Sequence, residues 1–296
     1  MRARVADDRV AIDEALVRCL VAEQFPRWAD LPIRQVLPGG WDNRMFRLGE
    51  ELVVRLPAAA PYAAQVGVEQ AWLPRLAPLL PLPIPAPVAV GEPGGGYPWH
   101  WSVLRWLPGE AADTATLDEP ALARDVAAFL RALHAVDTSD APRPGPRNFG
   151  RGGPLSLYDA GAREAIDRLD GTIDAGIARR LWDAALADGW TAPPVWVHGD
   201  LWLANLLVQD GRLSAVIDWG LMAAGDPASD LAIAWRGFGP AGRAVFRAAL
   251  PCDAGTWDRA RGWALWKLAI TAAGMSGRRA EAPHALAALQ GLLGEG

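Results

Sequence analysis

Cysteine is nearly missing from this 296-residue chain: Cys19 and Cys252 are the only two, far apart and without the spacing of a metal site. That excludes a disulfide scaffold, and two distant thiols fit a reducing compartment. Lysine is scarcer still. Lys267 is the single lysine among 29 basic residues, a bias that a GC-rich genome explains without a functional cause. No basic excess exists either. The net charge is −5, whereas a nucleic-acid partner calls for a concentrated basic face. No uninterrupted apolar stretch is long enough to span a bilayer, and Met1–Val10 lacks the apolar core of a secretory signal. The expectation is a soluble, cytoplasmic protein with neither nucleic-acid nor membrane partners.

What is present is a folded chain. Hydrophobic residues make up 51 % of it, enough for a large core in one two-lobed unit or two closely packed domains. Apolar spacing predicts a helix over 11–25, then strands at Ile33–Leu37, Met45–Leu48 and Leu52–Leu56, the last two joined by a turn at Gly49-Glu50. A helical pattern covers Tyr62–Leu76. Pro81-Leu-Pro-Ile-Pro-Ala-Pro87 is too proline-rich for a helix or central strand and predicts an extended linker. Strands at Val88–Gly91 and Trp101–Trp106 flank Gly94-Gly95-Gly96, a hairpin tip. Beyond Leu107 the pattern turns helical, over 121–134, 160–169, 177–187, 241–250, 256–274 and 282–293, with Thr116-Leu-Asp-Glu119 as a capping box before Pro120. The chain therefore reads as α+β, with a β-rich N-terminal lobe over 1–106, a mostly helical C-terminal lobe over 107–296, and a hinge near Arg105–Glu110.

The chemistry concentrates in Val195-Trp-Val-His-Gly-Asp-Leu-Trp-Leu-Ala-Asn-Leu-Leu-Val208 and Ala215-Val-Ile-Asp-Trp-Gly220. Apolar runs alternate with polar loops, which places His198, Asp200, Asn205 and Asp218 at the mouths of short buried strands. A carboxylate near an amide, with a second carboxylate from the next strand, suits phosphoryl transfer. Asp200 could accept a hydroxyl proton, and Asn205 and Asp218 offer the hard oxygens that Mg²⁺ prefers. Each residue alone could serve as a turn or cap. The joint H-G-D-x-x-x-x-N plus I-D spacing is much harder to explain that way.

These segments resemble the catalytic and metal loops of the aminoglycoside phosphotransferase family, small-molecule kinases with a two-lobed, protein-kinase-like fold. The resemblance runs from about Leu37 to at least Trp235. It implies Asp200 as catalytic base, Asn205 and Asp218 as Mg²⁺ ligands, and ATP or GTP as the nucleoside triphosphate co-substrate. It further implies a phosphate-holding cation on strand Leu52-Val-Val-Arg-Leu-Pro57, oriented by an acid on the following helix. Here those are Arg55, where the family usually has lysine, and Glu69; an ordinary strand–helix ion pair is the plainer alternative. By position, Gly39 and Gly40 would bring backbone N–H groups to phosphate, and Arg105, Trp106 and Leu107 would meet the base through their backbone.

Other residues have quieter assignments. His198 and Asp230 are expected to shape the catalytic loop, Asp226 to serve a turn, and His134 to be a helix-end dipole partner or core histidine. Trp202, Trp219 and Trp235 lie close in sequence to the site and are candidate pocket walls. The resemblance points to an aminoglycoside acceptor, yet residues 232–296 carry eight basic side chains against four acidic ones. The acids of 159–174 read more readily as a solvated helix face than as a wall for a polycation. The reading is an O-phosphotransferase acting on a small-molecule hydroxyl. Its acceptor would be aminoglycoside-like by resemblance, with a macrolide or small metabolite close behind, and in a resistance or a metabolic role. The rivals are a non-catalytic nucleotide-binding pseudokinase and a protein kinase, the latter lacking an activation segment of usual length between Asp218 and Asp230.

Overall fold

The computed structural model describes residues 9–37, 39–40 and 42–295. Residues 1–8, most of the stretch read above for a signal, lie outside the described residues, as do Pro38 and Trp41 of the glycine loop and Gly296. The chain divides into two compact units. One comprises the described residues up to Gly109 together with Ala215–Gly220; the other comprises Glu110–Ser214 and the described residues from Leu221 onward. The break thus follows Gly109 rather than Trp106, and a short later segment returns to the first unit.

In the first unit, helix α1 (Glu14–Gln24) starts at the Asp13 side chain, which accepts from Leu16 N at 2.8 Å. Strands β1 (Ile33–Gln35), β2 (Asn43–Leu48) and β3 (Leu52–Pro57) follow, then helix α2 (Ala60–Leu76) and strands β4 (Pro87–Gly91) and β5 (Trp101–Arg105). They form one antiparallel sheet in the order β1-β2-β3-β5-β4. The first strand ends two residues short of the expected Leu37, which is 76 % exposed as the chain leaves the sheet. Side chains alternate across the sheet. Leu52, Val54 and Leu56 of β3 join Phe46, Trp101, Val103 and the α1 residues Val17, Leu20 and Val21 in one apolar cluster. Val53 and Arg55 are therefore left to the opposite face, the side on which α2 presents Gln65 and Glu69 one turn apart.

The second unit begins with β6 (Glu110–Ala111) and α3 (Glu119–His134), followed by α4 (Asp159–Arg168), α5 (Ala175–Ala187), β7 (Val195–Val197), β8 (Leu206–Gln209) and β9 (Arg212–Val216), which crosses back into the first unit. After β10 (Ala223–Gly225) come α6 (Ala228–Leu231), α7 (Ile233–Arg236), α8 (Pro240–Ala249), α9 (Ala254–Ala272) and α10 (Ala282–Leu293). The β8–β9 hairpin turns at Asp210-Gly211, both in the left-handed region with φ of 50° and 74°. Strand β7 pairs with β10.

The cap of α3 differs from expectation. Pro120 lies in its first turn and the helix starts at Glu119, so Asp118 rather than Thr116 caps it, accepting from Ala121 N at 3.1 Å. The Glu119 carboxylate reaches away instead and accepts from Gly239 N and Gly242 N at 3.0 and 3.1 Å. Among the described residues no helix is long and apolar enough to cross a membrane.

Candidate active site

The loop after β7 is held from below. Asp230, fully buried on α6, accepts from His198 N at 2.6 Å and Gly199 N at 2.8 Å. Burial raises its carboxyl above the ordinary range, opposed by His198 and by those two backbone bonds. His198 is fully buried, and its Nδ1 accepts from Asp200 N at 3.3 Å. Gly199 is indispensable here. Its φ is +86°, and a Cβ would sit 2.4 Å from the Leu221 carbonyl oxygen. Both anchors therefore have the shaping role expected of them, and they present Asp200 at the loop's crest.

Asn205 closes the same loop. Its Nδ2 donates to the Asp200 carbonyl at 2.9 Å, and its N–H donates to Trp202 O at 3.0 Å, immediately before β8. Asp200 itself is ringed by cations. Lys267 Nζ lies 3.6 Å from its Oδ1, and Arg151, Arg236, Trp263 and Trp266 line the same pocket. Burial alone would raise the carboxyl. Lys267, Arg151, Arg236 and Arg278 together outweigh it and hold Asp200 well below the usual carboxylate range. The surrounding cations thus favour its ionised form.

In the first unit, Arg55 on β3 forms a buried ion pair with Glu69 on α2 and a second one with Asp218. Arg55 and Glu69 are only 6 % and 2 % exposed, so this is not a weak surface pair. The Asn43 amide oxygen, oriented to suit its neighbours, accepts from Arg55 Nη2 at 2.8 Å. Burial would lower the guanidinium, but Glu69, Asp218 and Asp42 raise it above the ordinary arginine range. Asp218 lies two residues past β9 with φ of +65°, a left-handed conformation that costs a non-glycine residue about 1–2 kcal/mol. Its side chain stays 41 % exposed.

The remaining expected positions are more mixed. Gly39 has room for a Cβ, Gly40 O accepts from Arg44 Nη1 at 2.6 Å, and neither glycine has a positive φ. The N–H groups of Arg105 and Trp106 are already spent on Ala86 O and Glu51 O at 2.9 and 2.8 Å. Leu107 N–H has no such partner among the described residues. Three readings need correction. Asp226 is no mere turn residue: it is buried, accepts from Ala228 N at 3.0 Å and pairs with Arg259 at 2.7 Å. Trp219 is a fully buried core residue of the first unit, its Nε1 donating to Val216 O at 2.9 Å. Trp235 packs edge-on against Trp257, with ring centroids 6.1 Å apart. The pocket walls are instead Trp263 and Trp266, which with Lys267 share one face of α9 at helical spacing.

A family model described as the phosphotransferase enzyme family matches residues 34–263. The chain belongs to that family. It is 32 % identical over 115 residues to an aminoglycoside 3'-phosphotransferase of Escherichia coli, an overlap of 37 % of this chain and 41 % of that protein. It is 30 % identical over 174 residues to the viomycin phosphotransferase of Streptomyces vinaceus, covering 52 % of this chain and 56 % of that protein. The chain thus spans about half the length of the curated relatives it matches. The solved GDP complex of aminoglycoside 2'-phosphotransferase-IIIa shares the fold, with a TM-score of 0.73 at 18 % identity, over 96 % of this chain and 99 % of that one. A macrolide 2'-phosphotransferase of Brachybacterium faecium is 25 % identical with a TM-score of 0.62, over 94 % and 98 %.

Asn205 and Asp218, the two residues expected to bind Mg²⁺, each carry a hard side-chain oxygen of the kind that ion prefers. The Asn205 amide nitrogen is committed to the Asp200 carbonyl, which leaves its oxygen as the free ligand atom, and Asp218 keeps an exposed carboxylate. Among the described residues no three His, Cys, Asp or Glu side chains cluster as a metal site by themselves. The sequence reading missed Arg151, Lys267, Trp263 and Trp266. Only the lone lysine carried a signal, and coding bias had explained it away.

Proposed function

We propose that the chain is a nucleotide-dependent O-phosphotransferase that moves the γ-phosphoryl group of ATP or GTP to a hydroxyl of a small molecule. The observation carrying this reading is Asp200, ionised and held in a loop that Asp230 and Asn205 tie down by backbone hydrogen bonds. Asp200 orients the acceptor hydroxyl and takes its proton as the new O–P bond forms and the bond to the bridging oxygen breaks. The products are a phosphate ester and a nucleoside diphosphate. A carboxylate of such low basicity contributes more by orientation than by early proton removal.

The first unit serves as the nucleotide lobe, in which Arg55, steadied by Glu69, grips phosphate oxygens. Leu107 N–H offers a backbone contact to the base, and the loop at Gly39-Gly40 lies nearer the phosphates. Asn205 and Asp218 are the residues whose side-chain oxygens would hold Mg²⁺, which when bound neutralises phosphate charge. Kinship with the curated relatives points to an aminoglycoside acceptor. The cations around Asp200 instead favour the less cationic alternative, a macrolide or small metabolite.

Asp200→Asn is expected to cut nucleoside diphosphate release by at least about 10³-fold while nucleotide affinity stays near normal. A variant that retains near-normal turnover would remove Asp200 from the chemistry.

A further inference from the structure

The Asp200 pocket carries more positive charge than its own carboxylate can balance. Three cations, Arg151, Arg236 and Lys267, line it against that one acid. Two of the three have partners. Lys267 is 3.6 Å from Asp200, and Arg151 stacks on the Trp266 ring at 4.8 Å and donates to the Tyr158 hydroxyl at 3.2 Å. Arg236 is the exception. Among the described residues its guanidinium has neither a hydrogen bond nor an ion pair, only the Trp202 ring at 5.8 Å. Arg278, 5.9 Å from the centre of the same ring, pairs with Glu281 at 3.3 Å. Burial, with Arg151 and Arg278 adding to it against Asp200, brings the Arg236 guanidinium down to about 10.

An unpaired guanidinium at a half-buried site is costly unless something negative meets it. The lysine strengthens the point. Arginine supplies 28 of the 29 cations in this chain, yet the one ammonium sits against the candidate base. The acids that might have attracted a cation are elsewhere and already used. Asp159, Glu164 and Asp167 pair with Arg163, Arg168 and Arg179 at 2.8, 2.6 and 2.7 Å, and Asp174 caps α5. A polycation entering this pocket would meet three like charges and a single acid, Asp200.

We infer that the pocket takes a small anionic hydroxyl compound, one bearing a carboxylate or a phosphate ester, with Arg236 as the anion's fork and the hydroxyl directed at Asp200. Trp263 and Trp266 supply apolar walls for its carbon frame. Arg236 is then a specificity residue, and Lys267 serves both the acceptor's charge and the ionised state of Asp200. This assignment rests on the phosphotransferase reading for its chemistry, but the anion preference can be measured without turnover.

The test is a tryptophan-fluorescence titration of the full chain in saturating Mg-ADP, which occupies the nucleotide side. The probes are gluconate, glucose 6-phosphate, sorbitol and kanamycin, and the same four are assayed as acceptors with Mg-ATP and Mg-GTP. At least one of the two anions should bind about tenfold or more tightly than sorbitol and kanamycin. That preference should be lost in Arg236→Gln, largely restored in Arg236→Lys, and accompanied by an unchanged affinity for Mg-ADP. Kanamycin or sorbitol binding as tightly as both anions would overturn the inference. So would a preference that survives in Arg236→Gln, or a loss in that variant confined to Mg-ADP. Selective anion binding with no phosphoryl transfer to any probe would sustain the anion site and count against the phosphotransferase reading instead.

Discussion

His134, near the C-terminal end of α3, illustrates how burial decides between two roles that its position allowed. Its Nε2 is enclosed without a hydrogen-bond partner, and burial lowers the imidazole to about 4. Its neutral form is therefore favoured in the folded protein although the residue as a whole is only partly buried, which disfavours a cationic partnership with the helix dipole. The consequence for stability has a definite sign. Between the unfolded value near 6.5 and the folded value near 4, the unfolded chain binds the proton and the folded one does not. Stability from this group is full above about pH 6.5 and is lost as pH falls towards 4. Urea midpoints measured at pH 7, 5.5 and 4.5 should fall more steeply for the natural protein than for His134→Gln. Parallel slopes would mean that the imidazole titrates normally in the folded state.

Elements are tied together by buried polar pairs as much as by apolar packing. The Asp226–Arg259 pair links the turn after β10 to α9, the helix that carries Trp263, Trp266 and Lys267. Both partners are 5 % exposed, so removing one leaves an uncompensated charge inside the second unit. Asp226→Ala is expected to cost about 3–5 kcal/mol, read as a fall in thermal or denaturant midpoint. Asp226→Leu combined with Arg259→Met should recover most of the loss, since two apolar groups leave no orphaned charge. An Asp226→Ala midpoint within experimental error of the natural one would show that water reaches the pair.

The whole chain is not two separable halves. After building most of the second unit's first part, it returns to the first unit for Ala215–Gly220. There Val216 N donates to Pro83 O at 3.2 Å, Trp219 is buried, and Gly220 lies so close to Gln65 that a Cβ would meet its Oε1 at 2.3 Å. Asp218 travels with this segment to Arg55. A fragment ending at Gly109 lacks all of it, and is expected to show no cooperative thermal transition by circular dichroism, whereas the full chain does. A sharp transition in the fragment would mean that the sheet and its two helices suffice.

Local pattern by itself determined much of this protein. Strand and helix positions followed from apolar period, and motif spacing put Asp200, Asn205 and Asp218 in the turns beside short buried strands, where the structure also has them, while Asp230 anchors the loop from α6. The β3–α2 pairing of Arg55 with Glu69 was legible only through resemblance, since side-chain alternation and helix phase must both be known to bring them together. What surrounds Asp200 was decided by tertiary packing alone. Arg151 comes from a loop, Arg236 from α7, and Lys267 with its two tryptophans from α9, so no single window of sequence contains the pocket's charge. Nearness in sequence misassigned Trp219 and Trp235 for the same physical reason: a helix or strand buries one face and offers the other, and only packing says which.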